Sequence, residues 1–128
     1  IPELKQDFDI VPFLGCKQPP YILGHDSKGS DRVEHVVFHK STQTLFITDH
    51  VFAPSDAAAP SLKCNTAGFS IKVSVKSAES ARNVLALEPK RIVFSHGKGD
   101  TFSLNDDGGG AKSCVELLEK AYKWHFLK

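Results

Sequence analysis

The apolar positions of this chain fall into two kinds of run. Residues 33–38 are nearly continuously apolar, Lys40-Ser41-Thr42-Gln43 is polar, and residues 44–48 form a second β-rich run. Two such runs about a short polar turn predict a hairpin. Its strands are too apolar to face water on both sides, which makes it central in a sheet. Residues 69–76 alternate strictly between apolar and polar, the pattern of a strand with one wet face. Ser77 or Ser80 can cap a helix that runs to about Leu87 and ends before Pro89. Residues 91–95 predict a short buried strand. Within residues 111–127, Cys114, Leu117, Leu118, Ala121 and Trp124 or His125 recur at helical spacing, predicting an amphipathic helix docked on the sheet. The expected fold class is α/β, a mixed sheet with flanking helices. Its inward positions read as Val37, Leu45, Ile47, Val73, Val93, Leu117, Leu118 and Trp124.

The stretches between these elements read differently. Residues 1–24 mix Pro2, Pro12, Pro19 and Pro20 with apolar residues such as Phe8, Ile10, Phe13 and Leu14. Proline removes a donor and blocks helix, so extended segments or an edge strand are expected. Such an arm can pack on the chain's own surface or dock on another chain. Residues 1–32 are thus read as an arm and turn ahead of a domain spanning residues 33–128. Residues 53–67 and 96–110 read as loops.

Composition narrows the function classes. A chain of 128 residues is long enough for one domain with its own core. Sixteen basic and fifteen acidic residues leave a charge of +1, which gives no general attraction to nucleic acid or to an anionic membrane. No apolar run approaches the roughly 18 residues that span a bilayer. Cys16, Cys64 and Cys114 form no C-x-x-C pair, so a zinc knuckle or redox dithiol is not indicated; one disulfide or three buried thiols remain open. The absence of methionine and the start at Ile1 read as a processed or truncated chain.

Candidate chemistry gathers where strands end. Asp49 and His50 follow the strand of residues 44–48, and Ser95-His96-Gly97 follow that of residues 91–94. Ligands of α/β sheets collect beyond the carboxyl ends of strands, and aspartate and histidine suit a borderline divalent cation. Other constellations fail. His35 and His39 lie on one strand, where four residues at about 3.3 Å each hold them about 13 Å apart. Gly110-Ala111-Lys112-Ser113 lacks the glycines of a phosphate-binding loop. Ser95-His96 lacks the G-x-S-x-G setting of a nucleophile elbow.

The segment Val37-Phe38-His39-Lys40-Ser41-Thr42-Gln43-Thr44-Leu45-Phe46-Ile47-Thr48-Asp49 resembles a hairpin of the metallo-β-lactamase-like fold. It is most similar to an uncharacterised branch of that superfamily found in plants, algae and cyanobacteria, in which proline stands where Ser41 does. Pro89-Lys90-Arg91-Ile92-Val93-Phe94-Ser95-His96-Gly97 resembles the strand and His-Gly of the superfamily's last metal ligand. Ala121-Tyr122-Lys123-Trp124 resembles the branch's C-terminal helix. Together these cover most of residues 33–127, in the superfamily's order.

The resemblance implies half of an αββα sandwich. It matches Asp49 to the metal-bridging aspartate, His96 to the final histidine ligand and, through the partial likeness of Gly24-His25-Asp26, His25 to a third. The superfamily's H-x-H-x-D-H run has no counterpart here. Two or three ligands do not close a tetrahedral site that also activates water. The expectation is therefore a vestigial or weak site, no cofactor, and a non-catalytic accessory or structural subunit. Its partner would be another protein chain, contacted in part through residues 1–24, with a plastid, photosynthetic assembly as the first setting. The alternative is a metal-dependent hydrolase holding zinc, iron or manganese, whose ligand-bearing N-terminal half is missing.

Overall fold

The computed structural model describes residues 2–18, 30–54, 61–64, 75–95, 103–105 and 113–127. In chain order these form α1 (Pro2–Asp7), β1 (Phe8–Gln18), β2 (Ser30–His39), β3 (Thr44–Ile47), β4 (Val51–Phe52), β5 (Lys63–Cys64), α2 (Val75–Leu85), β6 (Arg91–Phe94), β7 (Ser103–Asn105) and α3 (Cys114–His125). Five strands make one sheet in the order β1-β2-β3-β6-β7, and β4 and β5 form a small separate ribbon. The sheet is mixed: β3 and β6 are parallel, and the other pairs antiparallel. The α/β class and the central hairpin of β2 and β3 are therefore as expected.

The arm holds both an expected and an unexpected element. β1 is an edge strand, where Pro12 removes no donor that an inner strand would need. A register shift between Phe13 and Cys16 inserts one extra residue, and Gly15, at φ 87°, takes the left-handed conformation there. The bulge and Pro12 both blunt this edge against further pairing. Within the bulge, the Leu14 amide donates to the Ser80 hydroxyl of α2 at 3.0 Å. Proline does not exclude helix at the very start, however. Pro2 opens α1, a position where its missing N–H would have no intrahelical partner in any case.

Several boundaries differ from the sequence reading. α2 begins at Val75, so Val75 and Lys76 are helical and not the end of a strand; residues 69–74 of that expected strand, with Val73, lie outside the described residues. Ser77 and Ser80 are buried inside α2 instead of capping it, and Ser80 donates back to the Lys76 carbonyl at 2.8 Å. At the other end Glu88 takes φ 52°, and Pro89 then prevents continuation. β5 and β7 fall within stretches expected to be loop. α3 starts from Ser113, whose hydroxyl accepts from the Glu116 amide at 3.1 Å, an N-cap followed three residues on by glutamate.

The core lies on one face of the sheet. Phe13, Val36, Phe38, Leu45, Ile47, Ile92 and Phe94 point inward and meet Ala81 and Val84 of α2, and Leu117, Leu118, Ala121, Tyr122 and Phe126 beyond and along α3. Val37 and Val93, expected inside, are half-buried on the opposite face. The register explains the correction. Antiparallel partners share a face, and Leu45 pairs with Phe38, whereas Val37 pairs with Phe46. Trp124 is likewise 64% exposed. The buried stripe of α3 runs through Cys114, Leu117, Leu118, Ala121 and Tyr122, and Trp124 lies two residues off it. Leu118 is wholly enclosed, so Leu118→Ala is expected to cost about 2–4 kcal/mol in urea unfolding, mostly through the cavity left behind.

Candidate functional site

β3 and β6 run parallel as neighbours, with Ile47 opposite Phe94 and the Ser95 amide donating to the Ile47 carbonyl at 3.2 Å. Their carboxyl ends therefore leave the sheet side by side. Asp49, two residues beyond Ile47, is half-buried at this end. His25 and His96, the other expected ligands, lie outside the described residues. Among the described residues, no three His, Cys, Asp or Glu side chains are grouped to hold a metal ion.

The chemistry-bearing group beside Asp49 turns inward instead. His50 leaves β3 toward the core and is completely buried. Its Nδ1 lies 2.8 Å from Glu34 Oε2 on β2, and its Nε2 lies 2.9 Å from the Tyr122 hydroxyl on α3. With Glu34 ionised, its carboxylate only accepts, so His50 Nδ1 carries a proton and donates. Nε2 accepts from the Tyr122 hydroxyl when bare and donates to it when it carries a proton. The imidazole stacks on Phe13 at 4.2 Å and on Tyr122 at 5.9 Å, ring centre to ring centre. The three polar residues thus join β2, the β3–β4 connection and α3 through one enclosed chain.

Glu34 arrives there because its strand parity matches that of Val36 and Phe38, and it faces Phe13 across the β1–β2 ladder. Its Oε1 is buried and has no hydrogen-bond partner among the described residues. A buried acceptor in that state costs about 1–3 kcal/mol. The arrangement has the order of an acid–imidazole–hydroxyl relay, but its three members are shut inside the core, where its effect is to fix how β2 and α3 sit together. Sequence reasoning placed His50 only as the neighbour of Asp49 and did not single out Glu34 or Tyr122. The signal available was Glu34 interrupting an apolar run at an inward position, since a buried carboxylate requires a partner.

Two cysteines are also placed. Cys64 donates to the Ala121 carbonyl at 3.5 Å, and Cys114 to the Lys90 carbonyl at 3.4 Å; both side chains are buried. The side chain of Cys16 lies outside the described residues.

The opposite face of the sheet has a different character. The row Ile10, Val37, Phe46 and Val93 crosses four adjacent strands in register. Ile10 is 65% and Phe46 41% exposed. Both long helices contribute residues to the core on the other face. Among the described residues, no helix is long and apolar enough to cross a membrane. Comparison with protein-family models, curated proteins and solved structures finds no match for this chain.

Proposed function

We propose that the chain is a non-catalytic accessory or structural subunit of a larger protein assembly, built as half of a metallo-β-lactamase-like αββα sandwich. The observation that carries this reading is an apolar row on the sheet face away from the two long helices, with Ile10 and Phe46 exposed. In such a sandwich each sheet has helices on one face and the second sheet on the other. Here α2 and α3 contribute to the core face, and the row Ile10, Val37, Phe46 and Val93 lies on the other. Soluble monomers seldom leave a contiguous apolar stripe of this kind open, and another protein chain would cover it. Association through the strand edges is less suited: β1 carries Pro12, a bulge and the Ser80 contact, and β7 is three residues long. The chemistry inside the fold agrees with a structural role, since both ring nitrogens of His50 are engaged within the core.

The test is the mass of the native protein in its own source. It is expected to sit in a particle well above the mass of one chain. Phe46→Asp, which alters an exposed position and leaves the core intact, is expected to be left out of that particle while still folding. A native monomer would overturn the reading. So would stoichiometric zinc, iron or manganese on the purified chain together with metal-dependent hydrolysis.

A further inference from the structure

Glu34, His50 and Tyr122 are enclosed where no substrate reaches them, but an electron needs no channel. An electron crosses packed protein, whereas a proton passes only along a hydrogen bond. A buried phenol therefore gives up an electron readily only when a base already stands within reach of its proton. Tyr122 has such a base. Its hydroxyl lies 2.9 Å from His50 Nε2, inside the reach of about 2.6–3.2 Å over which a side chain takes a proton. His50 Nδ1 lies 2.8 Å from Glu34 Oε2, and all three residues are buried. The Tyr122 ring is packed among Phe13, His50 and Phe126, which shield it from solutes.

We propose that Tyr122 is a redox-active tyrosine, which yields one electron to an oxygen-centred radical and its proton to His50. The O–H bond of Tyr122 breaks, and the proton goes to the lone pair of His50 Nε2. The electron leaves for the oxidant, which is reduced to its anion. The phenol becomes a neutral phenoxyl radical, and the imidazole becomes an imidazolium held by the Glu34 carboxylate. With Glu34 ionised and His50 neutral, the three side chains carry one negative charge before the step and no net charge after it. Burial penalises an uncompensated charge, so the closed core favours the oxidised state. Trp124, two residues further along α3 and exposed, offers an oxidisable ring at the surface through which the electron can leave. The chemistry is independent of what the chain assembles with.

Flash photo-oxidation of the full chain with tris(bipyridyl)ruthenium(II) and persulfate, then freeze-trapping and electron paramagnetic resonance, provides the test. Ring-deuterated tyrosine in the protein narrows the spectrum of a tyrosyl radical and leaves that of a tryptophanyl or thiyl radical unchanged. The wild-type chain is expected to give a tyrosyl signal, and Tyr122→Phe to abolish it although Tyr21 remains. His50→Phe, which keeps a ring against Phe13 and removes the base, is expected to abolish it as well. If His50→Phe does not fold, the double variant Glu34→Leu with His50→Phe removes the stranded carboxylate together with the base and reads the same loss. A tyrosyl signal that survives Tyr122→Phe, or one undiminished in the chains without His50, overturns the proposal. So does a wild-type chain whose radical stays on Trp124 or a cysteine, or that yields no tyrosyl radical at all.

Discussion

Replacing Phe13 by alanine is expected to destabilise the chain by about 3–5 kcal/mol, the range for removing a fully buried aromatic ring. Phe13 lies on the proline-bearing first strand, yet it is completely buried. Its ring contacts His50, Tyr122 and Phe126 at centroid distances of 4.2, 5.9 and 5.1 Å. Removing it opens a void between the sheet and α3, and those three rings, one on the β3–β4 connection and two at the end of α3, have little freedom to close it. The change should appear as a lower urea midpoint with an unaltered slope. Ile10→Ala, three residues away on the opposite face and exposed, is expected to stay within about 1 kcal/mol. Equal effects at the two positions would mean that β1 does not alternate between core and surface as described.

The second large effect concerns the enclosed polar chain. His50→Ala is expected to cost about 3–5 kcal/mol, because it strands a buried carboxylate. Glu34 Oε2 loses its 2.8 Å partner while Oε1 already has none among the described residues. The loss of ring packing against Phe13 contributes as well, so the single variant does not isolate the polar term. A double-mutant cycle does. In a Glu34→Leu background no carboxylate remains to be stranded, and His50→Ala should cost clearly less than it does alone. An identical cost in both backgrounds would show that the Glu34–His50 contact carries no coupling energy.

These two residues also mark where the sequence could and could not be read. The hairpin was legible because runs of β-rich residues flank a polar four-residue turn, and the turn chemistry is local. The inward face of that hairpin was not. Val36-Val37-Phe38 offers no alternation, so pairing alone decides which member turns inward, and Phe38 opposite Leu45 sets Val36 and Phe38 inside. β7 was missed for a similar reason. Ser103-Leu104-Asn105 sits in a polar, glycine-rich stretch and becomes a strand only because β6 lies beside it.

For the site, the sequence indicated that polar residues follow β3 and β6, and the parallel pairing of those strands sets their ends together. It could not indicate that His50, adjacent to Asp49, turns into the core. Glu34 and His50 are 16 residues apart, and His50 and Tyr122 are 72 apart. No spacing rule links residues on a strand, a connection and a helix at such separations.

What the sequence by itself determined is therefore local: the hairpin, the strand at 91–94, the closing helix, and a charge balance without a general pull toward nucleic acid. Each depends on propensity, periodicity or composition within a few residues. The tertiary structure alone decided the face on which each strand is buried, the enclosure of Glu34, His50 and Tyr122, and the alignment of Ile10, Val37, Phe46 and Val93 in one row on the far side. Those features arise when register brings distant segments together, because a one-residue change of register moves every side chain of a strand from core to solvent.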